Sequence, residues 1–341
     1  MLRKLAAVCL LLCLLCGCVP EEEPRQQIYE ATFLDVFDTV TTLKGPAESK
    51  EAFTEVSESI RQELAYYHKL FDVYNDYEGV NNLKTVNDHA GVAPVAVESA
   101  IVDLLEDCIG YYELTDGRVN VAMGSVLKLW HEARNDGLDD PANAYLPDPE
   151  KLAEAAACMD IESIVIDREN STVYISNPNV QLDVGAIAKG WAAHRVAEQA
   201  PTGLLLSVGG NVCATGPKYP DTPWVIGVRD PRGSAGDFLH TLYVSGGSIV
   251  TSGDYQRCYM VEGKLYHHII DPDTQMPSEY WTSVTVVCDD SGLADALSTA
   301  LFLLPLEAGQ ALLDKTGAEA MWVDGQGDCF YSPGFEENIR T

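Results

Sequence analysis

Apolar and polar positions along the chain keep a helical period in the first half and a strand period in the second. Residues 29–43 (YEATFLDVFDTVTTL) alternate and are rich in β-branched and aromatic side chains, which predicts a strand. Over 47–71, Phe53, Val56, Ile60, Leu64, Tyr67, Leu70 and Phe71 recur every three or four residues, one face of a long amphipathic helix. A second helix fits 97–114, with Ile101, Leu104, Leu105, Cys108, Ile109 and Tyr112 inward and a stop at Asp116-Gly117. Residues 136–150 contain three prolines and read as an exposed excursion.

From 161 the runs shorten. Residues 163–167 and 172–176 predict a hairpin, 186–199 a helix, and 204–208 a buried strand. Further strands fit 224–229, 238–245, 258–261, 264–270 and 283–288, then a helix over 292–314 and strands near 320–324 and 328–331. Helices followed by mostly antiparallel strands predict the α+β class, mainly antiparallel sheets flanked by helices. No GxGxxG stands at a strand–helix junction and no Walker A segment exists.

The first residues follow a different pattern. Arg3 and Lys4 precede an apolar run, Leu5–Leu15, of 11 residues, too short for a finished membrane span. That is the layout of an export signal. Leu15-Cys16-Gly17-Cys18 resembles a lipobox, so residues 1–17 are expected to be a lipoprotein signal, with Cys18 lipidated; a plain secretory peptide cleaved nearby or an uncleaved anchor fits the same residues. Residues 18–28 form an acidic tether and 29–341 the folded domain. The expected location is the extracytoplasmic face of the cell membrane, reached through the lipid anchor.

Charge then narrows the partners. With 22 Lys and Arg against 52 Asp and Glu, the formal charge is −30. That excludes a sequence-independent nucleic-acid binder and basic-patch adhesion to anionic lipid. A small anion would need a local device: a metal, backbone amides or a lysine. Of ten cysteines, six lie beyond residue 18, at 108, 158, 213, 258, 288 and 329, without a CxxC pair. Core thiols are the preferred reading.

Four segments could carry chemistry. In Gln181–Gly190 (QLDVGAIAKG), Asp183 leaves a strand and Lys189 sits in the first turns of a helix, whose N-terminus suits phosphate. A tight turn capped by Asp183 explains the same residues without a ligand. Gly209 and Gly210 follow a hydrophobic strand and allow close backbone approach. Thr251-Ser252-Gly253 offers hydroxyls and a flexible amide. His268 and Asp271 offer a base or acid beside a Pro-locked turn. Adjacent His267 and His268 point to opposite faces of a strand, so at most one is catalytic. Asp295 and Thr299 are i and i+4 on one helix face, oxygen donors suited to Mg²⁺.

In this order the segments resemble the ApbE family, the FAD:protein FMN transferases, over roughly Phe37 to Leu313. The matching motifs are DxGxxAKG (Asp183–Gly190), Gly209-Gly210, TSGDY (Thr251–Tyr255), HIIDPxTGxP (His268–Pro277) and ADALSTA (Ala294–Ala300). Phe37–Thr39, Tyr74–Glu78 with Asn87, Thr115–Ala122 and Leu129-Trp130-His131 also match. The resemblance implies a T-fold-like architecture and splitting of the FAD pyrophosphate. FMN would pass to a Thr or Ser hydroxyl of an exported acceptor flavoprotein, and AMP would leave. It implies Mg²⁺ held by the Ala186 carbonyl, Asp295 and Thr299, and FAD contacted by Asp183 and Lys189. Phe37, Tyr74, Arg118, Val119 and Asn120 would line the adenosine and flavin pocket. Gly209, Gly210, Thr251, Ser252, Gly253, His268 and Ile270 would complete the binding set, with His268 the base and Asp271 its catalytic neighbour.

Three positions depart from the pattern. Asn120 stands where many members have Asp, Gln275 replaces the usual Gly of DPxTG, and Gly292 occupies a position where some members carry an extra acidic ligand. Two other outcomes fit the same residues: a metal-dependent FAD pyrophosphatase releasing FMN and AMP, and a non-catalytic flavin-binding lipoprotein.

Overall fold

The computed structural model describes residues 26–234 and 236–339, so the expected signal, the tether before Gln26 and Cys18 lie outside the described residues. An eight-stranded antiparallel sheet organises the rest. In chain order its strands are β1 (Gln27–Val36), β2 (Thr39–Ala47), β6 (Leu205–Val208), β7 (Asn211–Ala214), β10 (Gly247–Gly253), β13 (Ser283–Cys288), β14 (Glu319–Val323) and β15 (Cys329–Tyr331). They lie side by side in that same order. The smaller sheets are β3 (Val95–Ala96) with β4 (Ile164–Asp167) and β5 (Thr172–Ile175), β8 (Trp224–Arg229) with β9 (Phe238–Val244), and β11 (Tyr259–Val261) with β12 (Lys264–Tyr266). The α+β reading therefore holds.

Strand alternation separates two cores. On β10, Val250 joins the large core beneath the helices, while its neighbour Ile249 packs with Trp224, Leu242, Met321 and Phe335 under the β8–β9 ribbon. Helices α1 (Lys50–Phe71), α6 (Ala188–Gln199) and α7 (Ser291–Phe302) form the layer on the first face. α7 is the most enclosed: Gly292, Ala294, Asp295, Ala296, Ser298 and Ala300 are buried, and small side chains let α6 approach it closely. A third cluster joins Met123, the N-cap of α4 (Gly124–Asp139), with Val126 and Trp130 of that helix to Leu152 of α5 (Pro149–Ala156), Tyr259 and Ile270. Two further helices, α2 (Leu83–Asp88) and α3 (Ser99–Leu114), pack beside α1, and α8 (Leu306–Leu313) follows α7.

Several predicted boundaries change. The strand over 29–43 is a hairpin, β1 and β2 turning at Phe37-Asp38, both at positive φ (53° and 49°). Neither Gly nor Asn marks that turn, and the alternation runs on through it. The helix over 292–314 is two helices, because Pro305 cannot continue the first and serves as N-cap of the second. Within the predicted excursion, α4 runs on to Asp139 and α5 starts with Pro149 at its first position. The strand over 264–270 ends at Tyr266. All six cysteines in the described residues are free thiols, Cys108 and Cys213 being buried. No helix among the described residues is long and apolar enough to cross a membrane.

Candidate active site

The segments singled out in the sequence converge on one cleft of about 1060 Å³ between α4, the start of α6, α7 and the C-terminal end of β10. Its lining includes Tyr74, Arg118, Val119, Asn120, Asp183, Ala186, Lys189, Gly209, Thr251, Ser252, His268, Ile270, Asp295 and Thr299. A smaller lobe of about 570 Å³ holds Phe37 with His68 and Asp72. The two lobes share Tyr74, Asp183, Gly185, Lys189 and Arg257, so these residues form the neck between them.

Asp295 is the deepest charged group. Its Oδ2 accepts the backbone N–H of Gly190 at 2.9 Å and lies 3.6 Å from Lys189 Nζ, which donates to the Gly185 carbonyl at 3.1 Å. Burial raises the Asp295 pKa against the pull of Lys189, so the carboxylate is short of positive charge. Gly190, in the first turn of α6, has no intrahelical acceptor and gives its N–H to Asp295, while the Ala186 carbonyl just before the helix accepts no hydrogen bond among the described residues. Thr299, one turn beyond Asp295, also faces the cleft. The buried side-chain amide of Asn211 faces Asp295 there and, with Lys189 and the Gly190 N–H, favours its charged form. A carboxylate, a free carbonyl and a hydroxyl suit a hard cation that keeps waters. Among the described residues, no three His, Cys, Asp or Glu side chains cluster as a metal cage.

The hydroxyls are partnered. Thr251 Oγ1 pairs with Thr285 Oγ1 at 2.9 Å, and Ser252 Oγ with Ser298 Oγ at 2.8 Å. Ser298 spends its proton on the Asp295 carbonyl, so Ser252 donates to Ser298 and turns lone pairs toward the cleft. Asp183 does not cap α6. Its Oδ1 accepts the Gly185 N–H at 2.8 Å, a local turn that presents the α6 entry to the cleft.

His268 has the geometry of a base. Its Nδ1 lies 3.2 Å from the Gln256 carbonyl, which only accepts, so the proton sits on Nδ1 and Nε2 keeps a lone pair. Burial, then the charges of Arg257, His267, Lys189 and Arg134, hold the imidazole well below its usual pKa. His267 is structural: Nε2 donates to the Ser278 carbonyl at 2.8 Å and Nδ1 accepts the Ile269 N–H at 3.2 Å.

Three predicted residues lie outside the lining. Asp271 faces a neighbouring groove, where its Oδ1 accepts the Asp273 N–H at 2.7 Å and lies 3.6 Å from Arg118. It anchors the Pro-locked turn and does not join His268 in the cleft. Gly253 lies under the Tyr255 ring, and Gly210 completes the β6–β7 turn. Gly209, at φ 60°, approaches Thr39 so closely that a Cβ would lie 2.7 Å from its Oγ1.

The departures have structural explanations. Asn120 Nδ2 donates to the Met159 carbonyl at 2.8 Å while Oδ1 accepts the Ala122 N–H at 2.8 Å; an ionised Asp lacks the first bond. Gln275 takes φ 56° and offsets that strain with a side-chain bond to the Pro272 carbonyl at 2.7 Å. Gly292 packs against Trp191 and Tyr111 and does not line the cleft. Sequence reasoning left out Arg257, Gln256 and Asn211, which line the cleft, and Arg134, which stands close behind it. Proximity to the TSGDY and GG motifs was the available signal for the first three.

The ApbE family profile matches residues 34–322. The chain belongs to the ApbE family. Among its relatives, the FAD:protein FMN transferase of Treponema pallidum is 32% identical, the alignment covering 97% of this chain and 94% of that protein. An FAD:protein FMN transferase of Klebsiella pneumoniae is 31% identical over 77% of this chain and 83% of its own. The crystal structure of the ApbE protein of Thermotoga maritima superposes with a TM-score of 0.82 at 30% identity, covering 92% of this chain and all of the other (100%). The flavin transferase ApbE of Vibrio cholerae has a TM-score of 0.75 over 92% of this chain and 100% of its own, and at 23% identity that likeness is one of fold.

Proposed function

We propose that this ApbE-family chain transfers the FMN moiety of FAD to a Thr or Ser hydroxyl of an exported acceptor flavoprotein, releasing AMP. We place it at the extracytoplasmic membrane face, anchored through Cys18. The observation that carries the reading is the convergence of a His268 Nε2 lone pair with the Asp295–Lys189 site across one two-lobed cleft.

Atoms balance simply. The acceptor oxygen attacks the FMN phosphorus, its proton passes to His268 Nε2, and the bond from that phosphorus to the bridging oxygen breaks. AMP leaves with the bridging oxygen. Asp295, Thr299 and the Ala186 carbonyl would hold Mg²⁺, which when bound neutralises charge on the phosphates. Lys189 and the α6 entry orient the same phosphates, and the cleft walls limit access of water to the phosphorus.

The test is incubation with FAD, Mg²⁺ and a secreted acceptor bearing a Ser/Thr-Gly-Ala-Ser/Thr-like site, followed by mass spectrometry. An FMN-sized mass gain that chelator abolishes is the expected result. Free FMN and AMP without acceptor modification would favour pyrophosphatase, and intact bound FAD would favour simple flavin binding. A second expectation concerns pH. Since a depressed pKa keeps His268 neutral and basic through the neutral range, rate should fall only as pH drops through that depressed value. An acid limb of kcat lying below about 6.5 is expected, 6.5 being the unperturbed imidazole value; a limb above it would remove His268 as the base.

A further inference from the structure

Arg257 and Arg134 make no ion pair with an acid among the described residues, although Asp183 lines the same neck as Arg257. Arg257 lines both lobes at the neck and makes no ion pair or side-chain hydrogen bond among the described residues. Arg134 Nη1 is buried without a partner, and its Nη2 reaches only the Asn135 side chain at 3.2 Å. It sits on the same face of α4 as the cleft residues Leu127 and His131, two turns and one turn before it. The two guanidinium groups repel each other: beyond burial, Arg257 is the main influence lowering the Arg134 pKa. Both also act on His268 and on Tyr74. Among the described residues most other arginines are answered by acids, Arg232 by Asp254, Arg168 by Glu106 and Asp103, Arg61 by Asp35 and Glu58, while Arg229 lies over the Tyr255 ring. In a protein of charge −30, Arg257 at the neck with Arg134 close behind the cleft wall makes a local positive site for an anion.

We infer that Arg257 at the neck, backed by Arg134 behind the cleft wall, forms a phosphate-binding pair, taking the pyrophosphate of FAD and holding the phosphate of the departing AMP. The inference rests on the transferase reading and extends it. A dinucleotide has two aromatic ends and one charged middle. A cleft with two lobes and cations at their junction matches that distribution, so the charged middle falls at the neck. Lys189 and the residues that would hold Mg²⁺ then face the phosphates from the α6–α7 side, and the arginines from the α4 side. A planar guanidinium offers parallel donors to two phosphate oxygens, which a lysine cannot. The pair therefore favours the state in which negative charge grows on the leaving phosphate.

The full folded chain, wild type and variant, is titrated with AMP, inorganic pyrophosphate and riboflavin by calorimetry, at fixed Mg²⁺ and low salt. Arg257→Gln lies on an exposed turn and should leave thermal unfolding unchanged. It should weaken AMP and pyrophosphate roughly tenfold or more, the worth of a charge-assisted hydrogen bond, and leave riboflavin, which has no phosphate, within twofold. Arg134→Gln should act in the same sense, and Arg134→Lys, which retains charge without the fork, should recover part of the loss. FMN transfer in Arg257→Gln should fall chiefly in kcat. Unchanged AMP and pyrophosphate affinity in both Gln variants, with FAD still turned over, overturns the pair and leaves the transferase reading standing. Unchanged phosphate affinity with a raised KM for acceptor protein overturns it too, and assigns the arginines to an acidic acceptor segment. A wild type that binds neither FAD nor AMP overturns both readings.

Discussion

Replacing His268 with alanine is expected to lower FMN transfer by roughly a hundred- to ten-thousand-fold, the range for loss of a positioned general base. The loss should fall in kcat, since in the proposed reaction the imidazole takes the proton of the acceptor hydroxyl. FAD binding rests on many other contacts and should change little. The neighbouring position supplies the control. His267→Ala removes a donor to the Ser278 carbonyl and an acceptor for the Ile269 N–H, both buried, so it should cost about 1–3 kcal/mol of stability. The folded fraction should still transfer FMN at near the wild-type rate. Acceptor mass against time, fluorescence titration with FAD and a denaturant curve measure all three quantities on both variants. A His268→Ala rate within threefold of wild type removes the base assignment. Added imidazole restoring part of the rate would tie the loss to the missing ring.

What the sequence discloses about this cleft is local turn chemistry. The segments at Asp183–Gly190, Thr251–Tyr255, His268–Pro277 and Ala294–Ala300 each combine Gly, Pro, a short acid or a hydroxyl at fixed offsets, and each stays recognisable within ten residues. The structure brings members of all four to one wall. Arg257 and Arg134 were not legible, because a lone arginine has no spacing signature and its function depends on what fails to neutralise it. Asp271 misled for the opposite reason. An acid beside a Pro-locked turn suits catalysis and equally suits holding the turn, and the Asp273 N–H decides for the second.

The fold shows the same division. The face of α1 could be read from its repeat, since burial alone sets that period. The hairpin turn at Phe37-Asp38 could not, because two non-glycine residues take positive φ there while the apolar alternation continues. His68 helps hold it, with Nδ1 accepting the Phe37 N–H at 3.1 Å, a contact across 31 residues. Prolines caused errors in both directions. Pro149 opens α5 inside what looked like a loop, and Pro305 divides what looked like one helix.

A substitution at Gly190 tests whether the α6–α7 contact builds the proposed cation site. Glycine inside a helix is ordinarily a defect, and alanine there gains about 1 kcal/mol. Gly110, in α3, is such a case: a Cβ would meet nothing within 4 Å, so Gly110→Ala should stabilise by about that amount. At Gly190 the sign reverses. An added Cβ would overlap the Ser291 carbonyl oxygen and lie 2.6 Å from the Asp295 Cβ, both anchored in buried α7. Overpacking of this kind costs about 1–3 kcal/mol or more and exceeds the propensity gain. The helices must separate, and the 2.9 Å bond from Gly190 N–H to Asp295 Oδ2 is lost with their contact. Gly190→Ala should therefore unfold at lower denaturant with an unchanged m-value and lose Mg²⁺-dependent FMN transfer altogether. If Gly190→Ala matches Gly110→Ala in stability and still transfers FMN, the close approach of α6 to α7 is not what holds Asp295 in place.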